Sequence, residues 1–230
     1  MSENLDHFCM CVLPKQDTAG TKAALLNKFR WPNGAQVTIR FLEGDQKLQD
    51  RVQAVAQEWV GSNMAHLFLS FKPQSEQKTD IRIAFQRGKG SWSVLGTVCR
   101  TVPEPEPTMN FGWIDANSPD PVLRSVVLHE FGHALGLIHE HQNPKGGIPW
   151  NQDAVIADLS GPPNNWDLAT ISHNMFERYS PDAVSGTEVD AQSIMMYPIP
   201  SSWTLDGFSA GLNRDLSPQD KDLIRKVYYW

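Results

Sequence analysis

The chain has 230 residues, with 20 lysines and arginines against 26 aspartates and glutamates, a formal net charge of -6 and 40% hydrophobic residues. That length suits one domain with a substantial core, which a cleft can split into two lobes, and no internal repeat is visible. An acidic balance without a lysine or arginine block argues against an extended nucleic-acid footprint or an anionic membrane patch, and no apolar run approaches the roughly 18 residues of a membrane span.

Residues 1 to 30 are a mixed polar and apolar lead-in that fits either a pro-segment or an ordered arm, with residues 22 to 30 expected to be helical before a turn at Trp31-Pro32-Asn33-Gly34. Residues 8 to 13 are apolar but too few, and without the basic flank, for a signal peptide. Cys9, Cys11 and Cys99 are the three cysteines, an odd number that cannot pair completely within one chain. For Cys9 and Cys11 three readings stand side by side: apolar contact, a bridge from one of them to Cys99, or a thiolate seated on a metal ion.

Residues 36 to 42 alternate as a strand should, and residues 45 to 60 carry Leu48, Val52, Val55, Ala56 and Trp59 at helical spacing. Residues 67 to 71 and 81 to 85 read as two more strands, the second followed by the turn Arg87-Gly88-Lys89-Gly90; residues 92 to 98 either continue the sheet or cross it. Prolines alternate with acids over residues 102 to 107, which predicts a solvated loop, and residues 108 to 114 resume as a short strand beside the cleft.

Asp120-Pro121 offers an N-cap and a proline at the first helical position, and Val122, Leu123, Val126, Val127, Phe131 and Leu135 form an apolar stripe, so a helix is expected over residues 121 to 135. It carries the run His129-Glu130-Phe131-Gly132-His133-Ala134-Leu135-Gly136-Leu137-Ile138-His139. His129 and His133 lie one turn plus about 40° apart, roughly 6 Å along the axis, so both imidazoles can reach one ion. An unbroken helix would rotate His139 by about 240° and carry it roughly 9 Å away, so the helix must break first. Gly136 stands where the break is needed, since glycine enters the left-handed conformation at a helix C-terminus without a Cβ penalty. Three protein ligands leave a fourth position for water, the pattern of a catalytic zinc, and Glu130 is the candidate general base and acid.

Residues 151 to 159 and 166 to 179 look helical, with a loop at 161 to 165 between them. Next comes Ser193-Ile194-Met195-Met196-Tyr197-Pro198. The zinc run has the form HExxHxxGxxH and resembles the extended motif of the metzincin zinc endopeptidases, while the later stretch resembles the Ser-x-Met-x-Tyr turn of their astacin-like branch. Glu140, directly after the third histidine, also matches that branch; Met196 departs from it, standing where many members have histidine.

The resemblance implies zinc on His129, His133 and His139, and since no calcium loop of the EF-hand kind is present, zinc alone is expected. It implies Glu130 as base and acid, Tyr197 as a switchable fifth ligand that donates to the oxyanion, and Met195 as structural support beneath the metal. By analogy with inhibited relatives, Cys9 or Cys11, or Asp6 or Asp17, would be a latch on the metal. The resembled fold is α+β, a metzincin-like catalytic domain. In it a twisted mixed sheet with a backing helix and an active-site helix lies above an irregular C-terminal lobe ending in a helix. Its edge strand binds peptide main chain to main chain.

Residues 199 to 211 are irregular and would line the pocket beside the scissile bond. Ser217-Pro218-Gln219-Asp220 opens a closing helix that turns Leu223, Ile224, Val227 and Tyr228 inward. His7, His66, His141 and His173 have no ligand spacing among themselves and are left out of the site.

The expected organisation is a lead-in over residues 1–30 and one catalytic domain over 31–230, its upper lobe about 31–136 and its lower lobe about 137–230. The expected function is a zinc-dependent endopeptidase acting on protein or peptide substrates, monomeric, without nucleic acid or membrane insertion, and secreted or exported although no signal peptide is visible. The alternatives are a latent zinc-binding protein with an N-terminal latch and a zinc hydrolase of short peptides.

Overall fold

The computed structural model describes residues 29–162, 164–178 and 189–229, together with the backbone of residues 10–12. Of the helix expected over residues 22–30, residues 22–28 lie outside the described residues, as do Asp6, Cys9 and Asp17, and Phe29 and Arg30 are not helical. Among the described residues no helix is long and apolar enough to cross a membrane.

Among the described residues six strands form one sheet: β1 (Met10–Val12), β2 (Gln36–Phe41), β3 (Phe68–Phe71), β4 (Ile81–Ala84), β5 (Ser91–Val94) and β6 (Met109–Phe111), in the order β1-β5-β6-β4-β2-β3. β2, β3, β4 and β6 run parallel, β5 runs antiparallel to β6, and β1 pairs parallel with β5. The strand expected at the cleft edge over residues 108–114 is therefore misplaced: β6 lies inside the sheet between β5 and β4, and β5 is the strand outside it. Residues 92–98 do continue the sheet, but only to Val94; a 3-10 helix takes over at Gly96–Thr101.

β4 is buried on both faces, including Arg82, which is reconciled with the interior by donating to the carbonyls of Thr79, Val102 and Glu106. The proline-and-acid loop is exposed as expected, yet it is anchored as well: Glu104 reaches back to both Arg82 and the buried Arg40.

Helix α1 (Gln46–Ala56) is capped by Asp45, whose carboxylate accepts from Leu48 N, and buries Leu48, Val52, Val55 and Ala56. Helix α2 (Asp120–Ala134) packs against α1 and β5 and begins one residue earlier than expected, with Pro119 as N-cap. The reason is local: Asp120 does not fold back as a cap but pairs outward with Arg51 at 2.6 Å.

Beyond α2 come α3 (Gln152–Ser160) and α4 (Leu168–Ile171), the latter widening into a π turn over Ser172–Phe176. The single long helix expected over 166–179 is thus two short pieces, and residue 179 lies outside the described residues. The closing helix α5 (Pro218–Val227) has a complete capping box between Ser217 and Asp220.

The described residues form two apolar cores. One joins the sheet, α1, α2 and α5 and includes Trp31, Trp59, Phe131, Ile194 and Met195; the other gathers Ile148, Val155, Leu159, Ile171, Met196, Tyr197 and Trp203. The 193–197 turn crosses from one to the other.

Candidate metal centre

Helix α2 ends by a Schellman motif. Gly136, at φ +96°, donates its N–H to His133 O at 2.8 Å, and Leu137 N donates to Gly132 O at 2.9 Å. The chain then doubles back and carries His139 toward the helix it has just left. The Nε2 atoms of His133 and His139 lie 3.0 Å apart, close to the roughly 3.3 Å that two ligands of one tetrahedral ion would keep. One nitrogen from each of His129, His133 and His139 falls within 4.8 Å of the others, a group that could hold a metal ion.

The outer nitrogens of the first two are fixed. His129 Nδ1 lies 2.7 Å from Ile194 O and His133 Nδ1 lies 2.8 Å from Leu137 O. A carbonyl only accepts, so both Nδ1 atoms carry the proton and both Nε2 atoms are bare, the tautomer a metal requires. Burial is the first cause holding all three imidazoles below the usual histidine range, His129 at about 4. They are neutral near pH 7, and neutral imidazole is the ligating form.

Glu130 follows His129 on α2 and is 1% exposed. Tyr197 is buried, its ring centroid 4.2 Å from that of His139 and 6.3 Å from that of His129. Met195 lies beneath the helix at Gly132, whereas Met196 turns into the second core. Glu140 accepts from Asn143 Nδ2 and from Asp190 N, and burial pushes its carboxyl up to about 7.

Cys11 lies in β1 and Cys9 outside the described residues. Cys99 is a free thiol within the first core, and burial pushes it up to about 12.

Two residues of the site were not singled out from sequence. His141 is buried, donates from Nε2 to Asn174 O at 2.7 Å and stacks on Tyr197 at 4.6 Å, so it forms a wall of the centre rather than a ligand. Asp220, named only within the run that opens the closing helix, holds the 193–194 segment. Its signal was the Ser-x-x-Asp cap itself; nothing local to it points at the turn.

The sequence matches the Astacin peptidase family over residues 26–204. Zinc metalloproteinase nas-23 of Caenorhabditis elegans is 23% identical over 221 residues, which cover 94% of this chain and 37% of that protein. The chain therefore spans little more than a third of the length of that relative. Two solved structures of myroilysin superpose, one with a TM-score of 0.84 and 41% identity over 89% of this chain and 98% of that one. The other has a TM-score of 0.70 and 38% identity over 98% and 92%.

Proposed function

Because the chain belongs to the astacin family of zinc metalloendopeptidases, we propose that it cleaves internal peptide bonds of protein or peptide substrates with zinc held by His129, His133 and His139. The observation that carries this reading is the convergence of three neutral imidazoles on one point. Three nitrogen donors without a thiolate among them fit zinc and leave room in its coordination shell for water and substrate.

When bound, zinc supplies Lewis-acid polarisation of the peptide carbonyl and lowers the pKa of its water to roughly 7. Glu130 takes the proton from the attacking water and delivers it to the leaving amine. The Tyr197 hydroxyl donates to the oxygen that becomes negative as the carbonyl is attacked, a contact stronger in the transition state than before it. Met195 supports the helix from below. Acceptance of varied sequences follows if substrate adds as a strand to the sheet edge, reading main chain rather than side chains. We assign the enzyme a monomeric, extracellular site of action.

Casein degradation by wild type and Glu130→Ala, each with its zinc content measured, tests the reading. Zinc is expected in both, and cleavage in wild type alone, a loss of about 10²–10⁴-fold or more. A Glu130→Ala enzyme as fast as wild type removes the residue from this role. A wild type that cuts a tripeptide as readily as casein favours the short-peptide hydrolase instead.

A latent form has its own supporting observation. β5 packs against α2, the helix that carries His129 and His133, and β1 pairs along it with Met10 opposite Trp92 and Val12 opposite Val94. A strand there competes with any substrate strand for the same backbone groups. Cys11 belongs to that strand and Cys9 precedes it in sequence, so removing the strand would remove a thiolate latch with it. Deleting residues 1–28 is expected to raise casein cleavage at least about 10-fold, the gain expected when a tethered competitor at millimolar effective concentration is removed. Unchanged activity rejects latency.

A further inference from the structure

A chain of hydrogen bonds leads away from His129. Its Nδ1–H donates to Ile194 O at 2.7 Å. The same peptide group presents Met195 N–H to Ser193 Oγ at 3.0 Å, and the Ser193 hydroxyl donates to Asp220 Oδ1 at 2.7 Å. All links run in one direction, so each donor is polarised by the acceptor ahead of it, and a buried carboxylate stands at the end. Asp220 Oδ2 accepts from Ile194 N at 2.8 Å and Ser217 N at 2.9 Å, which holds the turn from its other side.

Capping α5 does not require this arrangement. The capping box uses Ser217 Oγ on Asp220 N and Asp220 Oδ2 on Ser217 N; both bonds to the 193–194 segment lie outside it. Metal-bound imidazoles usually pass their second N–H to a carboxylate or carbonyl, which fixes the ring and strengthens the donor nitrogen. Here the acceptor is a carbonyl, and a carboxylate backs it through a hydroxyl.

We propose that Asp220, acting through Ser193 and the peptide group between Ile194 and Met195, is a positioning residue for His129 that tightens metal binding. This rests on the reading of His129 as a zinc ligand. It also gives Ser193 a role distinct from its neighbours: a hydroxyl that both donates and accepts, placed between a peptide N–H and a carboxylate.

The test is zinc affinity of the full chain, measured by competition with a chromophoric chelator, beside the thermal midpoint of the metal-free protein. The variants are Asp220→Asn, Ser193→Ala, their double variant, and Ser217→Ala, which breaks the cap but leaves the relay. Asp220→Asn and Ser193→Ala are each expected to weaken zinc binding about 10–100-fold, whereas Ser217→Ala lowers the midpoint and leaves zinc affinity within about 2-fold. Because both relay residues act on one chain, the double variant should lose no more than about 3-fold beyond the weaker-binding single. Unchanged affinity in the relay variants, or an equal loss in Ser217→Ala, overturns the proposal while the metal site stands. Wild type that fails to bind zinc overturns the three-histidine reading and this proposal with it.

Discussion

A methyl group at position 132 would stand 2.3 Å from the sulfur of Met195 and 3.3 Å from the indole of Trp59. The helix that carries His129 and His133 can settle onto Met195 only because that position has no side chain, and Met195, 2% exposed in the first core, has little room to withdraw. In Gly132→Ala two effects oppose each other. Alanine favours the helix by up to about 1 kcal/mol, while overpacking costs about 1–3 kcal/mol. The contact distance decides for the second, so a net destabilisation of about 1–2 kcal/mol is expected in urea unfolding of the metal-free protein. Zinc affinity should fall too, since displacing Met195 moves the neighbouring Ile194 carbonyl that holds His129. Wild-type stability and affinity in this variant would mean that Met195 yields freely and supports nothing.

The elements differ in how plainly the sequence announces them. Helix α2 and its end are legible because their causes are local: a stripe at helical spacing, a proline at the start and Gly136 in the left-handed conformation at the close. What seals that end is not local. Trp31 donates to Ala134 O at 2.8 Å and the Tyr228 hydroxyl to Leu135 O at 2.6 Å, from opposite ends of the chain. The edge of the sheet is illegible for the same reason. Alternation tells that residues 91–94 and 109–111 are strands, but which of them lies outermost depends on partners distant in sequence, and on β1. Residues 166–179 read as one helix in the sequence, and the π turn after Ile171 changes the period. Of the site, the three histidines and Glu130 stand in one run. His141 and Asp220 depend on Asn174 and on the 193–194 segment, and that dependence exists only in the folded chain.

For the molecule as a whole, the three-histidine cluster lies where the two cores meet. His129 and His133 belong to α2 in the first core; His139 opens the chain toward the second, and Tyr197 of the second core packs against it. Main-chain links across the junction include Glu140 N to Met195 O at 3.0 Å. An ion bound by all three histidines would therefore act as a fastener between the cores as well as a reagent. A ligand that binds only the folded state stabilises it by about 2.7 kcal/mol at 100 times its dissociation constant. Chelation should accordingly lower the thermal midpoint, and added zinc should restore it. Hydrogen exchange then locates the loss: on chelation, protection should fall most over residues 139–176 and 196–203, while β2 and α1 stay protected. Exchange that rises evenly through both cores would mean that they open as one unit and that the metal does not fasten them.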